Sequence, residues 1–364
     1  MMRQLARTPL TFVTSLAISL ALPQCSSSAT PIPPPSATIV AAPAQTPSPA
    51  PSASPPLTDA TRIGISPGSG FEDPFGTMSA IEQQAVVSRM KAVGVRWLRL
   101  DYYPQSSYDR QFIEDAQGAG IQVDVLMEDF GATPAQFAAF GKQAVAALRP
   151  YGVHTYEILN EVNGYTPAIS AAQYVPLLNA AYTAIKSADS SSTVLMSGLS
   201  TGTGNQEPST YLKAMYAAGA KGHFDAANMH PYSFPDLPAP ADPSQCESYN
   251  GFCHDLPAIR KVMEQNGDAD KTIWITEFGC PTGTAAGQTA PCTDATLAQQ
   301  LTQAYGRARA WGWIGSFFVF SWQDNAEDGD FGLYYADGSP KPDTLAAYEK
   351  IAAVAATGVA NLRR

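Results

Sequence analysis

Apolar runs that end in a polar residue alternate, from residue 62 onward, with longer stretches whose apolar residues recur at helical spacing. Each run is nearly continuous in apolar residues, as expected for strands of a parallel sheet that are buried on both faces. Eight of these runs are predicted to be strands: Arg62–Ser66, Val95–Asp101, Ile121–Met127, Thr155–Asn160, Thr193–Gly198, Phe224–His230, Thr272–Glu277 and Ser316–Ser321.

Helix signals occupy the intervals between these runs. Ser79 and Glu82 have the spacing of a capping box, and Gly94 is placed to end the helix that they begin. Thr133 followed by Pro134 predicts another helix start, with proline at the first helical position. Helical apolar spacing also covers Ala172–Ser187, Ala295–Trp311 and Pro342–Ala356.

Eight strand–helix units in about 300 residues predict a single α/β domain with the (β/α)8 TIM-barrel fold. A doubly wound open sheet shows a similar alternation and is the alternative. That fold more often carries a glycine-rich phosphate turn after its first strand, and the segment ISPGSGFEDP that begins at Ile65 lacks this fingerprint. We therefore expect the closed barrel.

The first 60 residues differ in composition from the rest. Residues 1–25 are typical of a signal peptide, with Arg3 and Arg7 before an apolar stretch, Thr11–Leu22, that is short for a membrane span. Cys25 ends the sequence LPQC, which loosely resembles a lipobox, so a lipid anchor at Cys25 and plain cleavage near residues 27–29 are both open. Residues 26–60, rich in Pro, Ala, Ser and Thr, are predicted to be a disordered linker. Residues 61–357 are predicted to form the barrel domain.

Composition and charge narrow the class of ligand. The chain has 364 residues, of which 45% are hydrophobic and 15% charged, and this balance suits a well-buried core. A net charge of −10 argues against a nucleic-acid partner, which would need a basic face. The same charge would repel a polyanionic substrate. Neutral ligands are therefore favoured.

Four of the five cysteines cluster late in the chain, at Cys246, Cys253, Cys280 and Cys292. Four cysteines allow three pairings. We favour Cys246–Cys253 and Cys280–Cys292, because each would close a short loop in an oxidising compartment. A metal site is the competing interpretation, but neither C-x-x-C nor H-x-x-x-H spacing occurs. We therefore expect no metal and no cofactor.

Two carboxylates end predicted strands in the phrases YEILNEVNG and TIWITEFG, at Glu161 and Glu277. The C-terminal ends of barrel strands open into one shared crevice, so these two side chains are expected to face each other. A retaining glycosidase uses such a pair: one carboxyl protonates the departing oxygen, and the other attacks the anomeric carbon. The pair predicts this chemistry.

Further strand ends supply groups that could assist the two carboxyls. An arginine can keep the nucleophile ionised, a tyrosine hydroxyl can donate to it, an asparagine beside the acid can bind a sugar 2-hydroxyl, and an indole can stack on a sugar ring. The candidates are Arg99, Asn160, His230, Tyr232 and Trp322. Structural alternatives are a barrel ion pair for Arg99, a loop brace for His230, packing for Tyr232 and rim core for Trp322. For Glu128 and Asp129, helix capping or solvated charge is as well supported as ligand contact.

These residues resemble the motifs of clan A retaining glycoside hydrolases, over residues 61–356. The resemblance implies that Glu161, in the Asn-Glu pair that ends strand four, is the acid/base and that Glu277, ending strand seven, is the nucleophile. Arg99, His230-Pro231-Tyr232 and Trp322 match the clan's strand-two arginine, strand-six His-x-Tyr and strand-eight tryptophan. NEVN and FGLYYADGSPKP look closer to family 39 than to the family 5 cellulases. Glu128-Asp129 stands where family 5 usually has a histidine.

The expected protein is a β-xylosidase-like or cellulase-like glycosidase, which hydrolyses β-glycosidic bonds of a neutral oligo- or polysaccharide through a glycosyl-enzyme intermediate. We expect a monomer that is secreted, periplasmic or on a bacterial cell surface, with a carbohydrate as its partner, no nucleic acid and no membrane span. Two rivals are a transglycosylase with the same site and a non-catalytic carbohydrate-binding barrel. The second rival requires one of the two glutamates to be lost or misplaced.

Overall fold

A computed structural model describes residues 62–68, 78–104, 107–164, 168–238, 251–283 and 291–362 of the chain. The predicted signal peptide, the linker and Cys25 lie outside these residues. The described part contains these strands: β1 (Ile63–Ser66), β2 (Trp97–Asp101), β3 (Gln122–Met127), β4 (Thr155–Asn160), β5 (Thr193–Ser200), β6 (Ala227–His230), β7 (Ile273–Ile275) and β8 (Ile314–Phe320).

Helices alternate with the strands along the chain. They are α1 (Ala80–Ala92), α2 (Ser107–Gly118), α3 (Pro134–Leu148), α4 (Ala171–Ala188), α5 (Pro208–Ala217), α6 (Leu256–Gln265), α7 (Asp294–Trp311) and α8 (Pro342–Leu362). A short π-helical turn, Gly251–Asp255, leads into α6. The last helix therefore continues past the predicted domain end at residue 357.

The strands form one closed parallel barrel in sequence order, from β1 to β8. The closing contact pairs Ile63 with Phe317 and Ser66 with Phe320, so β1 and β8 are hydrogen-bonded neighbours. The predicted (β/α)8 barrel is confirmed, and the open-sheet alternative is excluded because the described sheet has no open edge between these two strands. A closed parallel barrel brings all eight C-terminal strand ends to one face.

The predicted capping signals begin α1 and α3. The Ser79 hydroxyl accepts the Glu82 amide N–H, while the Glu82 carboxylate accepts the Ser79 amide N–H. Thr133, the residue before Pro134, forms the same reciprocal pair with Gln136. Each box satisfies amide donors that a helix start would otherwise leave unbonded.

One of the two predicted disulfides is present among the described residues. Cys280 and Cys292 are bonded and buried, and they close the connection that follows β7. The pair Cys246–Cys253 stays a prediction, because Cys246 lies outside the described residues. No helix in the described part of the chain is long and apolar enough to cross a membrane.

Charged residues interrupt the apolar strands at a few buried positions. Arg99 of β2, Asp124 of β3 and Glu157 of β4 are at most 4% exposed. Arg99 and Asp124 are register partners, so both point to the same side of the sheet. Buried charges are retained only where partners compensate them, and these three therefore mark the polar end of the barrel core.

Candidate active site

Glu161 and Glu277 meet at the C-terminal end of the barrel. Glu161 directly follows β4, and Glu277 lies two residues beyond β7. One carboxylate oxygen from each, together with a ring nitrogen of His230, lies within 4.8 Å of the others. Retaining glycosidases hold their carboxyl groups about 5–5.5 Å apart, whereas inverting enzymes leave about 6.5–9.5 Å for a water. The two carboxyl groups are therefore close neighbours at the same rim of the barrel.

Arg99 connects three acceptors across the floor of this site. Its Nη1 donates to Glu277 Oε1 at 2.7 Å, and its Nε and Nη2 donate to the two Glu157 oxygens at 2.8 and 3.0 Å. Nη2 also donates to Asn160 Oδ1 at 2.9 Å. Burial would by itself lower the pKa of Arg99, but the carboxylates of Glu157 and Glu277 outweigh it and raise the pKa well above its ordinary value. A permanent positive charge thus stands beside Glu277.

The Glu277 carboxylate is held by a donor at each oxygen. Arg99 bonds Oε1, and the Tyr232 hydroxyl donates to Oε2 at 2.8 Å. Burial and the neighbouring carboxylates of Glu277 and Glu161 raise the pKa of Tyr232 well above its ordinary value, so its hydroxyl keeps the proton that it donates. Glu277 is 8% exposed. Donors of this kind stabilise the ionised form of a carboxyl group and fix its direction.

The backbone that carries Glu161 is unusual. Leu159 has φ of 61° and Glu161 has φ of 44°, both in the left-handed region that side chains with a Cβ seldom adopt. The Glu161 amide donates to the Gly198 carbonyl at 3.0 Å, which ties this segment to β5. Strained backbone of this kind persists only where its surroundings enforce it, and it is concentrated at functional sites. Here it sets the direction of the Glu161 side chain.

His230 ends β6 and lies between the two glutamates. Its Nδ1 is 3.0 Å from Glu161 Oε1 and 3.4 Å from Glu277 Oε2. The ring is fully buried and lies against the Cα of Gly198, where an added Cβ would be 2.2 Å from Nε2. Glycine at position 198 therefore makes room for this imidazole.

Two buried acids beside Arg99 were not among the predicted site residues. Glu157 also accepts the Gly198 amide N–H at 3.1 Å, so it is the fixed counter-charge of Arg99. Neither oxygen of Asp124 has a hydrogen-bond partner among the described residues. Burial and the adjacent Glu157 raise the pKa of Asp124 well above its ordinary value, which favours its protonated form. The available signal was a charge inside an apolar strand run, which requires a buried partner.

Trp322 does not occupy an open position. It is 1% exposed, its ring packs 4.7 Å from that of Tyr334, and Arg89 of α1 lies over both rings. The structure thus places the ring in the rim core, the structural alternative for this residue, and its stacking on a sugar stays a prediction. Trp322 lies two residues beyond β8. At that position an apolar ring can pack against a helix as readily as it can face the crevice.

Partly exposed rings lie instead beside Tyr232. Phe331 is 5.9 Å from Tyr232 and 5.4 Å from Phe320, the last residue of β8, between ring centroids. Phe234 packs against both Tyr232 and Phe331 and is 37% exposed. These four rings, which we call the aromatic cluster, adjoin Glu277 through the Tyr232 hydroxyl. They offer an apolar surface of the type that sugar rings contact.

The side chains of Glu128 and Asp129 have different surroundings. Asp129 is exposed, and its Oδ1 accepts the amide N–H of Gly131, which is a local turn contact. Glu128 is partly buried at the end of β3. Burial, followed by repulsion from Asp101, raises its pKa to about 8, so it is mainly protonated at neutral pH. A neutral carboxyl can both donate and accept a hydrogen bond.

Glu161, His230 and Glu277 also have the donor types of a metal site. Carboxylate and imidazole are common ligands of divalent cations. However, the Arg99 guanidinium already bonds Glu277, and a second cation at this carboxylate would be repelled by it. The donor set is therefore better satisfied by protons and by Arg99 than by a metal.

A cavity of about 530 Å³ opens beside the end of β5. Thr201, Thr203, Glu207 and the pair His254–Asp255 contribute to its polar lining. Thr201 directly follows Ser200, whose register partner is His230. The cavity therefore lies next to the end of β5 that pairs with β6.

Comparison with known proteins identifies the fold of this chain. No family model matches the sequence, and no curated protein does. Solved structures do match: a glucosidase from Croceicoccus marinus has a TM-score of 0.59 and 12% identity, over 81% of this chain and 68% of that one. The family 51 α-L-arabinofuranosidase AbfB from Bifidobacterium longum has a TM-score of 0.57 and 14% identity, over 82% and 74% of the two chains.

A fungal β-1,4-galactanase matches over 79% of this chain and 99% of its own, with a TM-score of 0.54 and 14% identity. A β-glucuronidase from Bacteroides uniformis has a TM-score of 0.56 and 15% identity over 81% of this chain, but this chain spans only 35% of its length. The resemblance to the clan A barrel is thus confirmed as a likeness of fold. Neither family 39 nor family 5 is singled out.

Proposed function

We propose that this protein is a retaining β-glycosidase. The observation that carries the proposal is the pair of carboxyl groups from β4 and β7, with oxygens within 4.8 Å and with Arg99 and Tyr232 bonding one member of the pair. The more constrained carboxylate, Glu277, suits the nucleophile. Glu161, with an 18% exposed side chain, suits the acid/base that meets the leaving group and then water.

The mechanism follows from these contacts. Glu277 attacks the anomeric carbon while Glu161 protonates the departing oxygen, and a glycosyl ester of Glu277 results. Glu161 then takes a proton from water, whose oxygen displaces the ester and regenerates both groups. Arg99 and Tyr232 stabilise Glu277 as carboxylate before attack and as leaving group afterwards. Asn160, held through Oδ1 by Arg99, is placed to bind a sugar hydroxyl through its amide N–H groups.

The proposed substrate is a neutral sugar. The aromatic cluster would contact the C–H face of the ring. The Cys280–Cys292 disulfide fits an oxidising compartment outside the cytoplasm and supports secretion. Whether acceptor sugars compete with water, as in a transglycosylase, is decided by the products formed when a second sugar is added.

Azide rescue tests the two carboxyl roles. Glu277→Ala should lose at least about 10⁴-fold in kcat on an aryl β-glycoside, and azide should restore turnover to give the inverted α-glycosyl azide. In Glu161→Ala, azide should give the β-glycosyl azide, because Glu277 still forms the intermediate. Glu264→Ala is the control, since Glu264 lies on the exposed surface in a pair with Arg260. Full activity of Glu277→Ala without azide would exclude the proposal, and so would a wild type that turns over no glycoside.

A further inference from the structure

His230 has a hydrogen-bond contact at each ring nitrogen, and the ring itself is buried. Its Nδ1 faces Glu161 and Glu277, and its Nε2 is 3.0 Å from Thr276 Oγ1. His230 and Thr276 are 0% exposed, as is Asn228, which lies beyond Thr276. Because no solvent reaches the ring, these neighbours decide where its protons are.

With Asn228 Oδ1 turned towards Thr276, the contacts on the Nε2 side place a hydrogen on that nitrogen. Thr276 Oγ1 donates to Asn228 Oδ1 at 3.0 Å. A hydroxyl has a single hydrogen, so towards His230 the same oxygen can only accept. His230 Nε2 is therefore the donor of the bond to Thr276.

The two carboxyl groups on the Nδ1 side favour a hydrogen on that nitrogen. Arg99 and Tyr232 both donate to Glu277, and an unprotonated Nδ1 would direct its lone pair at this carboxylate 3.4 Å away. A protonated Nδ1 donates to Glu161 and attracts Glu277 instead. Donors at both nitrogens define an imidazolium ion.

The charged groups that face His230 agree with this state. Burial disfavours the cation, but the carboxylates of Glu277 and Glu161 outweigh both burial and the repulsion from Arg99. The pKa of His230 is consequently raised above its ordinary value. The Tyr232 hydroxyl, which also faces this space, stays neutral.

We propose that His230 stores the proton that Glu161 delivers to the leaving group, and that Thr276 and Asn228 are positioning residues for this store. The inference rests on the proposed glycosidase function and adds a proton source to it. In the resting enzyme, Nδ1 holds the proton and Glu161 is ionised. During attack, the proton passes from Nδ1 to Glu161, and Glu161 passes this same proton to the glycosidic oxygen, which takes the electron pair of the broken C–O bond.

This step leaves the charge of the site unchanged. Before it, His230 is positive while Glu161 and Glu277 are negative; after it, His230 is neutral, Glu161 is negative and Glu277 is an uncharged ester. In the second step, the proton from water passes through Glu161 back to Nδ1 as the Glu277 carboxylate is released. The charges of His230 and Glu277 thus appear and disappear together. A buried site benefits from this coupling, because an uncompensated charge there is costly.

Nuclear magnetic resonance of the ring nitrogens tests the stored proton without any turnover. In ¹⁵N-histidine-labelled protein, both nitrogens of His230 should be protonated at pH 6, with a midpoint above the usual value of about 6.5. Signals are assigned by their loss in His230→Gln. In Glu277→Gln, which imitates the uncharged ester, the midpoint should fall by about one pH unit or more. A His230 that keeps a single protonated nitrogen from pH 5 to 8 in the wild type would overturn the proposal, whatever the enzyme's substrate.

Kinetics test the positioning residues. Thr276→Val keeps the shape but removes the acceptor for Nε2–H, so the alkaline limb of kcat/KM should move down by about one pH unit. Substrates with poor leaving groups should slow more than 2,4-dinitrophenyl glycosides, which need no proton, and Thr276→Ser should restore both properties. His154→Gln is the matched control, because His154 pairs with Asp189 at 2.7 Å outside the site. Equal slowing of all substrates at every pH would assign Thr276 a structural role and exclude the proposed one.

Discussion

At the residue scale, the polar floor of the barrel is an arrangement of buried charges with different protonation states. Arg99 is shared between Glu157 and Glu277, while Asp124, its register partner on β3, lies outside these hydrogen bonds. One buried cation can compensate the two carboxylates that it touches, but not a third. Asp124 is therefore the acid that stays neutral.

Two amide substitutions distinguish the buried acids. Glu157→Gln removes a paired charge and should lower the free energy of unfolding by about 3 kcal/mol. Asp124→Asn should leave it unchanged or raise it at pH 7, because folding of the wild type must first protonate an acid that is ionised in the unfolded chain. Any gain should vanish as the pH falls to about 4, where the unfolded Asp124 is itself protonated.

Urea unfolding at both pH values measures these effects. Glu264→Gln is the control for loss of an Arg–Glu pair at the surface, and it should change stability by less than about 1 kcal/mol. If Asp124→Asn were as destabilising as Glu157→Gln, Asp124 would have to be ionised in the folded protein.

At the element scale, a small residue on one strand makes room for a large side chain from the next strand. β5 carries Gly198 where the imidazole from β6 crosses, and its carbonyl accepts the Glu161 amide from the end of β4. The Gly198 amide in turn donates to Glu157. This glycine therefore joins the strand that presents Glu161 to the one that presents His230.

Gly198→Ala should displace the imidazole and lower kcat/KM by about 10- to 100-fold, since a misplacement of about 1 Å in a catalytic constellation has effects of this size. Circular dichroism should still show a folded barrel. Gly306→Ala on α7 is the matched control, because no atom lies within 4 Å of the added Cβ, and it should leave activity unchanged. Wild-type kinetics for Gly198→Ala would mean that the position of His230 does not affect the reaction.

At the scale of the whole molecule, the charge of the protein opposes acidic substrates. The net charge is −10, and the predicted signal peptide and linker contribute two arginines and one aspartate, so the remaining part is slightly more negative. Within the site, the Arg99 guanidinium is already bonded by two carboxylates. The β-glucuronidases share the barrel fold with this chain, and the net charge supports the proposal of a neutral substrate.

An aryl β-glucuronide should have a kcat/KM at least about 100-fold below that of the corresponding neutral aryl β-glycosides at low ionic strength. Added salt should narrow the difference, because screening weakens repulsion between exposed charges. A panel of neutral and uronic aryl glycosides, assayed at two salt concentrations, measures both effects. A preference for the glucuronide would contradict the inference from charge.

The order of the strands and the meeting of Glu161 with Glu277 could be predicted from the sequence. Both depend on period and spacing: buried parallel strands are apolar runs, and a barrel brings the C-terminal ends of these runs to one rim. The capping pairs at Ser79 and Thr133 could also be predicted from the sequence, because a helix start is a local structure of a few residues.

Side-chain direction and protonation were decided only by the tertiary structure. Trp322 packs outward on Arg89 and Tyr334, a choice that depends on a helix more than 200 residues earlier in the chain. The raised pKa of Asp124 and the contacts at both ring nitrogens of His230 depend on residues of other strands, at distances that no spacing along the chain encodes. Sequence periodicity determines which residues reach the rim, while burial and the charges of non-local neighbours determine what each group does there.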